Sequence, residues 1–527
     1  MEPAVDATAS ADHGMVCSVD RLASDAGVAV LRDGGSAADA AIAASAVLAV
    51  TCPHLCGMGG DLFALVHIPG EPAPATLNAS GRAGSGADPD RLRAEGHAVM
   101  PFHGDLRSAP VPGCVDGWLT VHERFGRLPF DRVVAGAVRL ATEGFPVSPL
   151  LALAQGLLYG VAGADELLAP GSLAGGDELR RPGVARAIEA VAASGRSGFY
   201  EGEFGDGLLR LGDGEYAVED LRRPQADWVD PLRASAWRHD LWTIPPNSQG
   251  YLTLLGAAIA DGLPLPDDPD EPLWAHLLVE AARAAGHDRP SMLHEGAELA
   301  PLLAAGEVAR RRQLVDPDRR NDDFAGLTAE GGTMHLCAGD IDGMAVSLIQ
   351  SNASGFGSMV FEPATGIGLH NRGIGFSLEA GHPAEYGPGR RPPHTLSPAM
   401  VTTADGALRA AIGTMGGDSQ PQILLQVLCR FLHHGHSPGS AIGAPRWTLT
   451  ATTGFDTWTD PAGNRVQLEH HSPSAWAAGL EARGHSVVVA GPSASHGFGH
   501  AHLLERTPTG WSGAADPRAE VSAASGY

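Results

Sequence analysis

Residues 329–340, AEGGTMHLCAGD, set Gly331 and Gly332 directly ahead of Thr333, where a strand-like alternation begins. Two readings fit the glycine pair: a plain turn, or a peptide bond placed to be cut. The second carries chemistry. A threonine hydroxyl is a weak nucleophile unless a base stands beside it, and a threonine released as the first residue of a chain carries its own base in its α-amine. That amine has an ordinary pKa of about 7.7–8.0, so a useful fraction is neutral near pH 7. Cutting between Gly332 and Thr333 would therefore create nucleophile and base on one residue. From these residues alone the turn is the commoner outcome, and both readings stay open.

Outward from this point the character of the chain changes. After Thr333, TMHLCAGDI and MAVSLIQS flank Asp342-Gly343, which predicts two strands joined by a tight hairpin. PAMVTTADGALRAAIG repeats the pattern around Asp405-Gly406, and a helix is expected over about residues 422–434. Before Thr333 the chain reads as helical. Residues 19–50 are rich in Ala, Leu and Val and predict a helix that stops at Gly34-Gly35. A second helix is expected to begin at Ser36, an N-cap with Asp39 three residues on, as in a capping box. CPHLCGMGGDLFALVHI then passes through glycines into a strand, and residues 110–300 read as mostly helical. No internal repeat is evident.

Composition narrows the function classes. The 527 residues allow two or three ordinary domains or one large unit, and 69 Gly with 39 Pro fall short of a low-complexity composition. The formal charge of -25 argues against a nucleic-acid partner, because phosphate binding requires a basic surface. The acidic start lacks the pattern of a signal peptide, and no apolar run is long enough to span a membrane, so a cytoplasmic protein without membrane association is expected. Six cysteines in so long a chain predict buried thiols rather than a disulfide framework.

Several local motifs have bland readings. Cys52, His54 and Cys56 lack a second ligand pair for zinc, and their glycines do not follow a strand as a dinucleotide fingerprint requires. The histidine-rich stretches at 433–436 and 496–502 have no partnering carboxylate motif, so no metal is expected. Gly416-Gly417 in GTMGGDSQPQ joins a strand to a helix; such a turn can aim N–H groups at an oxyanion or serve only as a turn.

Taken together, these segments resemble the gamma-glutamyltransferase family of N-terminal nucleophile hydrolases. The opening GMVCSVDRLASDAGVAVLRDGGSAADAAIAASAVLAVTCPHLCGMGGDLFALV, then PVPGCVDGW, FYEGE, IPPNSQG, HNRGIGF, TLSPAMV, GTMGGDSQPQ, GAPRW and the closing ADPR and SGY follow in family order. The resemblance implies an α+β fold, a four-layer αββα sandwich. It also implies self-cleavage before the threonine of a T-x-H motif, here Thr333-Met334-His335, giving chains 1–332 and 333–527 that stay together as a heterodimer. Pairing of such heterodimers is left open. No cofactor is implied. The substrate class is a small acyl-amide or peptide-like molecule, with the acyl group passing to water or an amine.

Carried over residue by residue, Thr333 is the nucleophile, Ser351 its supporting hydroxyl, and Gly416 and Gly417 the oxyanion pair. Asn371 lies in the family's asparagine-containing segment, and Asn352 stands one residue short of a substrate-binding asparagine. The departures concern the glutamyl clamp. Ser80 replaces the arginine for an α-carboxylate, with Arg82 two residues later. Gly375 replaces the acidic residue for an α-amino group, and His394-Thr395 replace a serine pair. Each missing charged contact is worth about 1.5–3 kcal/mol, so glutamyl zwitterions are not the expected substrate. Arg82, Arg372 and His394 are candidates for binding a carboxylate placed elsewhere. A glutaryl- or cephalosporin-acylase-like enzyme or a C–C bond hydrolase are alternatives, and an uncut noncatalytic scaffold is the alternative of another class.

Overall fold

The computed structural model describes residues 6–168, 171–212, 214–322, 332–450 and 465–527. Fourteen strands form two antiparallel seven-stranded sheets. In chain order they are β1 (Ala9–Ala11), β2 (Met15–Ser18), β3 (Asp61–His67), β4 (Ala75–Ala79), β5 (Asp227–Val229), β6 (Leu232–Ala236) and β7 (His239–Thr243), then β8 (Gly332–Gly339), β9 (Ala345–Ala353), β10 (Ala399–Thr402), β11 (Leu408–Thr414), β12 (Ala501–Thr507), β13 (Gly510–Ala515) and β14 (Ala523–Gly526). One sheet runs β14-β2-β8-β9-β3-β4-β5; the other runs β1-β13-β12-β11-β10-β7-β6.

Period-two alternation explains how the sheets stack, since successive side chains leave a strand on opposite faces. In β3, Phe63 and Leu65 join Cys17, Cys337, Ile349, Met400 and Trp511 in a core between the sheets. Leu62, Ala64 and Val66 instead face α1 (Arg21–Arg32), α2 (Ala37–Thr51) and α3 (Phe130–Glu143) in a second core. On the other sheet, Val401, Ala410 and Ile412 pack beneath α4 (Tyr251–Ala260), α5 (Pro272–Gly286) and α6 (Gln420–Leu428). The order helix, sheet, sheet, helix is the αββα sandwich. Every residue of β3 and β9 is buried, because both faces of these strands are covered.

Local sequence chemistry accounts for several elements. Ser36 Oγ accepts from the Asp39 N–H at 3.1 Å while Asp39 Oδ2 accepts from the Ser36 N–H at 2.9 Å, the reciprocal cap that starts α2. The Asp342-Gly343 hairpin joins β8 to β9, and Asp405-Gly406 joins β10 to β11. Two expectations gain detail. Within the mostly helical stretch 110–300, the short strands β5, β6 and β7 complete both sheets. They are three to five residues long, too short to impose a visible period. The helix expected over 422–434 is α6 from Gln420, followed by a π-helical turn at Cys429–His433. All six cysteines are buried thiols.

The packed interior also encloses histidines. Burial pushes His54 and His500 down to about 3 and His394 and His502 to about 4. The unfolded chain takes up protons near pH 6.5 that these folded sites refuse. Their contribution is thus complete above about pH 6.5 and is lost as pH falls towards the folded values, at about 1.4 kcal/mol per histidine per pH unit. The thermal midpoint is expected to fall steadily between pH 7 and 4.5 in differential scanning calorimetry; a flat profile would contradict this.

Candidate active site

Thr333 sits in β8 directly after Gly332, and Gly331 lies outside the described residues. β8 pairs Gly332 with Ala353 and Met334 with Gln350, so Ser351 and Asn352 together oppose the single residue Thr333. This is a β-bulge, a device that re-aims side chains. Ala353 ends the bulge at φ 73°, in the left-handed region that an alanine adopts only under constraint. Its N–H donates to Ser351 Oγ at 2.8 Å, and Arg372 Nη2 donates to the same oxygen at 2.8 Å. Ser351 Oγ also lies 3.0 Å from Thr333 Oγ1, a hydrogen bond in which either hydroxyl can be the donor. Thr333 and Ser351 are both fully buried.

Arg372 is held from behind. Its Nε donates to Asp61 Oδ2 at 3.0 Å and its Nη1 to Thr395 Oγ1 at 2.9 Å. Asp61 begins β3 and is the cross-strand neighbour of Ser351. Gly60 permits this close entry, since a Cβ there would lie 2.3 Å from the Ser351 carbonyl oxygen. The Asp61 carboxylate also receives His394 Nε2 at 2.7 Å and faces His370 Nδ1 at 3.3 Å. Burial alone would raise the Asp61 carboxyl, but His394, Arg372 and His370 outweigh it and hold the group well below the usual carboxylate range. His394 Nδ1 accepts from the Leu396 N–H at 3.2 Å, so its proton is on Nε2. Burial, reinforced by Arg372, lowers His394 to about 4, and it is neutral at pH 7.

The glycine turn reaches the same group through Gln249, whose Nε2 donates to the Thr395 carbonyl at 2.8 Å and to the Gly417 carbonyl at 3.1 Å. Gly416 and Gly417 have φ of 136° and 54°, which orients a turn that other residues would strain to adopt. Asp418 follows them and pairs with Arg289 Nη2 at 3.0 Å. A cavity of about 360 Å³ opens here, with Arg289, Arg372, Gly375 and Thr395 in its wall.

The structure therefore brings Thr333, Ser351, Arg372, Thr395, His394 and the glycine pair into one network. Asn371 supports it from the side, accepting from the Ser354 N–H and donating to the Phe102 carbonyl. Asn352 donates to the Pro53 carbonyl and lies towards α2. Ser80 is bound within a buried set with Asn78 and Asn247. Arg82 is paired with Asp227 and Glu295 at 3.3 and 2.6 Å, and neither residue lines the cavity. Sequence reasoning missed Asp61, Gln249, Arg289 and Asp418. Two local signals were present: an acidic residue, Asp61, opening a strand that is apolar from Leu62 to Val66, and another, Asp418, directly after the glycine pair.

Two stacked antiparallel sheets between helical layers, with a threonine at the start of a central strand, define the N-terminal nucleophile hydrolase class. The gamma-glutamyltranspeptidase family model matches residues 23–526. The chain is 34% identical over 540 residues to the oxamate amidohydrolase proenzyme of Klebsiella pneumoniae subsp. pneumoniae, covering 98% of each. It is 33% identical over 531 residues to the glutathione hydrolase-like YwrD proenzyme of Bacillus subtilis, covering 97% of this chain and 98% of that one. The crystal structure of cephalosporin acylase from Bacillus halodurans superposes with a TM-score of 0.89 at 31% identity, over 100% of this chain and 98% of that one. The chain belongs to the gamma-glutamyltranspeptidase family and is an enzyme of the hydrolase class its fold defines. Among the described residues no helix is long and apolar enough to cross a membrane.

Asp61→Asn would leave the Arg372 guanidinium buried without its counter-charge. Breaking a buried pair in this way costs about 3–5 kcal/mol, and that loss is expected in urea unfolding of the variant.

Proposed function

We propose that this chain cuts itself between Gly332 and Thr333 and then hydrolyses an amide through an acyl-enzyme on Thr333. The observation that carries the reading is the Thr333 hydroxyl, directly after Gly332, held 3.0 Å from a Ser351 hydroxyl that Arg372 and the Ala353 N–H fix in place. In self-cleavage the Thr333 oxygen attacks the Gly332 carbonyl carbon and the C–N bond breaks, giving an ester to the Thr333 oxygen and a free α-amine. Water then hydrolyses the ester. A glycine before the threonine lowers the steric cost of bending the backbone for this attack.

The mature residue repeats the chemistry on a substrate. The α-amine takes the hydroxyl proton as Oγ attacks the amide carbonyl, and returns it to the leaving amine as the C–N bond breaks. Charge developing on the carbonyl oxygen would be met by the N–H groups of Gly416 and Gly417. Water releases the acid, and an amine in its place gives acyl transfer. The relatives named as an amidohydrolase, a glutathione hydrolase-like protein and a cephalosporin acylase support this chemistry. The sequestered Ser80 and the bare Gly375 weigh against a glutamyl zwitterion here.

The two resulting chains would remain a heterodimer. Residues before 333 supply β2 to β5 of one sheet and β1, β6 and β7 of the other, interleaved with strands from after 333. Separation would require breaking ladders in both sheets.

Denaturing electrophoresis is expected to show two chains in equal amounts, which elute together in gel filtration without denaturant. Thr333→Ala should give one chain of 54.3 kDa. A wild-type protein that stays uncut and turns over no amide would instead be the noncatalytic scaffold. Ser351→Ala is expected to slow self-cleavage by roughly 10-fold or more, the effect of losing one hydrogen bond to the reacting oxygen, read as the time course of the uncut band.

A further inference from the structure

The histidine of Thr333-Met334-His335 takes no part in the chemistry proposed above, yet it is fully buried. Side chains two apart on a strand leave on the same face, so His335 enters the space between the sheets on the side that Thr333 faces. Its Nε2 lies 3.0 Å from Ser347 Oγ on β9, and Ser347 Oγ donates to the Ile412 carbonyl on β11 at 3.2 Å. A carbonyl only accepts, so that bond uses the serine proton and the serine oxygen accepts from the ring N–H. The pair thus ties β8 and β9 in one sheet to β11 in the other. Gly413 makes room for it, since a Cβ there would lie 2.3 Å from the His335 ring. Cys337 adds a second tie, its Sγ donating to the Ala411 carbonyl at 3.3 Å.

Thr333 lies where the sheet holds β8 least. β2 pairs with β8 only from Leu336 to Gly339, so among the described residues Gly332 to His335 have a ladder on the β9 side alone. That ladder is interrupted at Thr333 by the bulge. After a cut, Thr333 would also be a chain terminus, and termini fray unless tied down. The apolar neighbours Phe63, Leu65 and Ile349 press the sheets together without direction. A hydrogen bond has direction, and a satisfied polar pair inside a core selects one arrangement of it. Burial, reinforced by His502, holds the His335 pKa well below 6.5, so the ring is neutral at pH 7 and the tie adds no buried charge.

We propose that His335 is a positioning residue: through Ser347 it fixes the overhanging end of β8 against β11, and so holds Thr333 at the height from which its hydroxyl attacks. The proposal rests on the self-cleavage reading. β11 is the strand that ends at Thr414 and leads into the Gly416-Gly417 turn, so the same tie sets the nucleophile strand against the strand that carries the oxyanion turn. His335 touches neither the Gly332 carbonyl nor a substrate in this account, and acts only through the place it gives Thr333.

The test follows the uncut band of the full chain with time, at a temperature well below every variant's melting midpoint, and needs no substrate. His335→Leu, Ser347→Ala and Gly413→Ala should each lengthen the half-time of self-cleavage roughly 10- to 100-fold, the effect of a small misplacement of reacting atoms. His335→Leu with Ser347→Ala should be no slower than the slower single variant, because both remove one bond. His335→Gln keeps an N–H donor within reach of Ser347 and should recover most of the rate. Leu408→Ala is the control: it opens a cavity in the same inter-sheet core at the far end of β11, and should lower the melting midpoint with little change in half-time. Once cut, His335→Leu should exchange the amide hydrogens of the peptide that begins at Thr333 faster than wild type. If His335→Leu does not fold, Ser347→Ala and Gly413→Ala carry the test. An unchanged half-time in these variants would overturn the proposal. So would a Leu408→Ala protein that loses as much melting midpoint and cuts as slowly, which would leave His335 a core residue only. Failure of the underlying reading is separate, and shows as a wild-type chain that is not cut at Thr333.

Discussion

The buried ion pair between Asp61 and Arg372 is the contact on which the rest of the site depends. Asp61 is placed by strand register beside Ser351, and Arg372 reaches it at 3.0 Å from a turn more than three hundred residues away. The same guanidinium then orients Ser351 and Thr395. Without the carboxylate, the buried guanidinium would lose its hydrogen-bonded counter-charge, and Ser351, the partner of the Thr333 hydroxyl, would lose the group that orients it. The energetic argument is asymmetric. A buried pair adds little net stability against an apolar replacement, whereas removal of one partner alone is strongly unfavourable. The pair therefore makes sense as a device for position rather than for stability.

The second constraint is topological. A chain that severs its backbone near the middle must be held together by what surrounds the cut. Here each sheet combines strands from the two sides of residue 333, paired with each other at more than one seam. The inter-sheet core likewise draws Cys17 and Phe63 from one side and Cys337, Ile349 and Met400 from the other. Cleavage would then free an α-amine at the reaction centre with little change elsewhere. The bulge opposite Thr333 and the left-handed Ala353 mark the place where the ladder gives up regularity to direct side chains.

Much of the fold was legible because its signals are local. A capping box at Ser36, an Asp-Gly turn after β8 and a second after β10 each announce themselves within a few residues. Strands β5 to β7 were not legible, because they are short and sit among helices. The site divides the same way. Thr333, Ser351 and the glycine pair could be named from motifs, but the contacts that assemble them join residues 61 with 372, 289 with 418 and 249 with 417. No local pattern encodes such pairings. Ser80 and Arg82 show the converse. Their positions in the motif suggested a role at the substrate, whereas their neighbours Asn78, Asn247, Asp227 and Glu295 occupy them.

The central claim is that Thr333 becomes a chain terminus and carries the acyl group. It is tested most directly by mass spectrometry of the protein after brief exposure to an amide substrate and an acid quench. The account predicts a chain beginning at Thr333 whose mass rises by one acyl group, with the added mass confined to its N-terminal peptide. An acyl group found on another residue, or an intact chain still joined through Gly332, would contradict it.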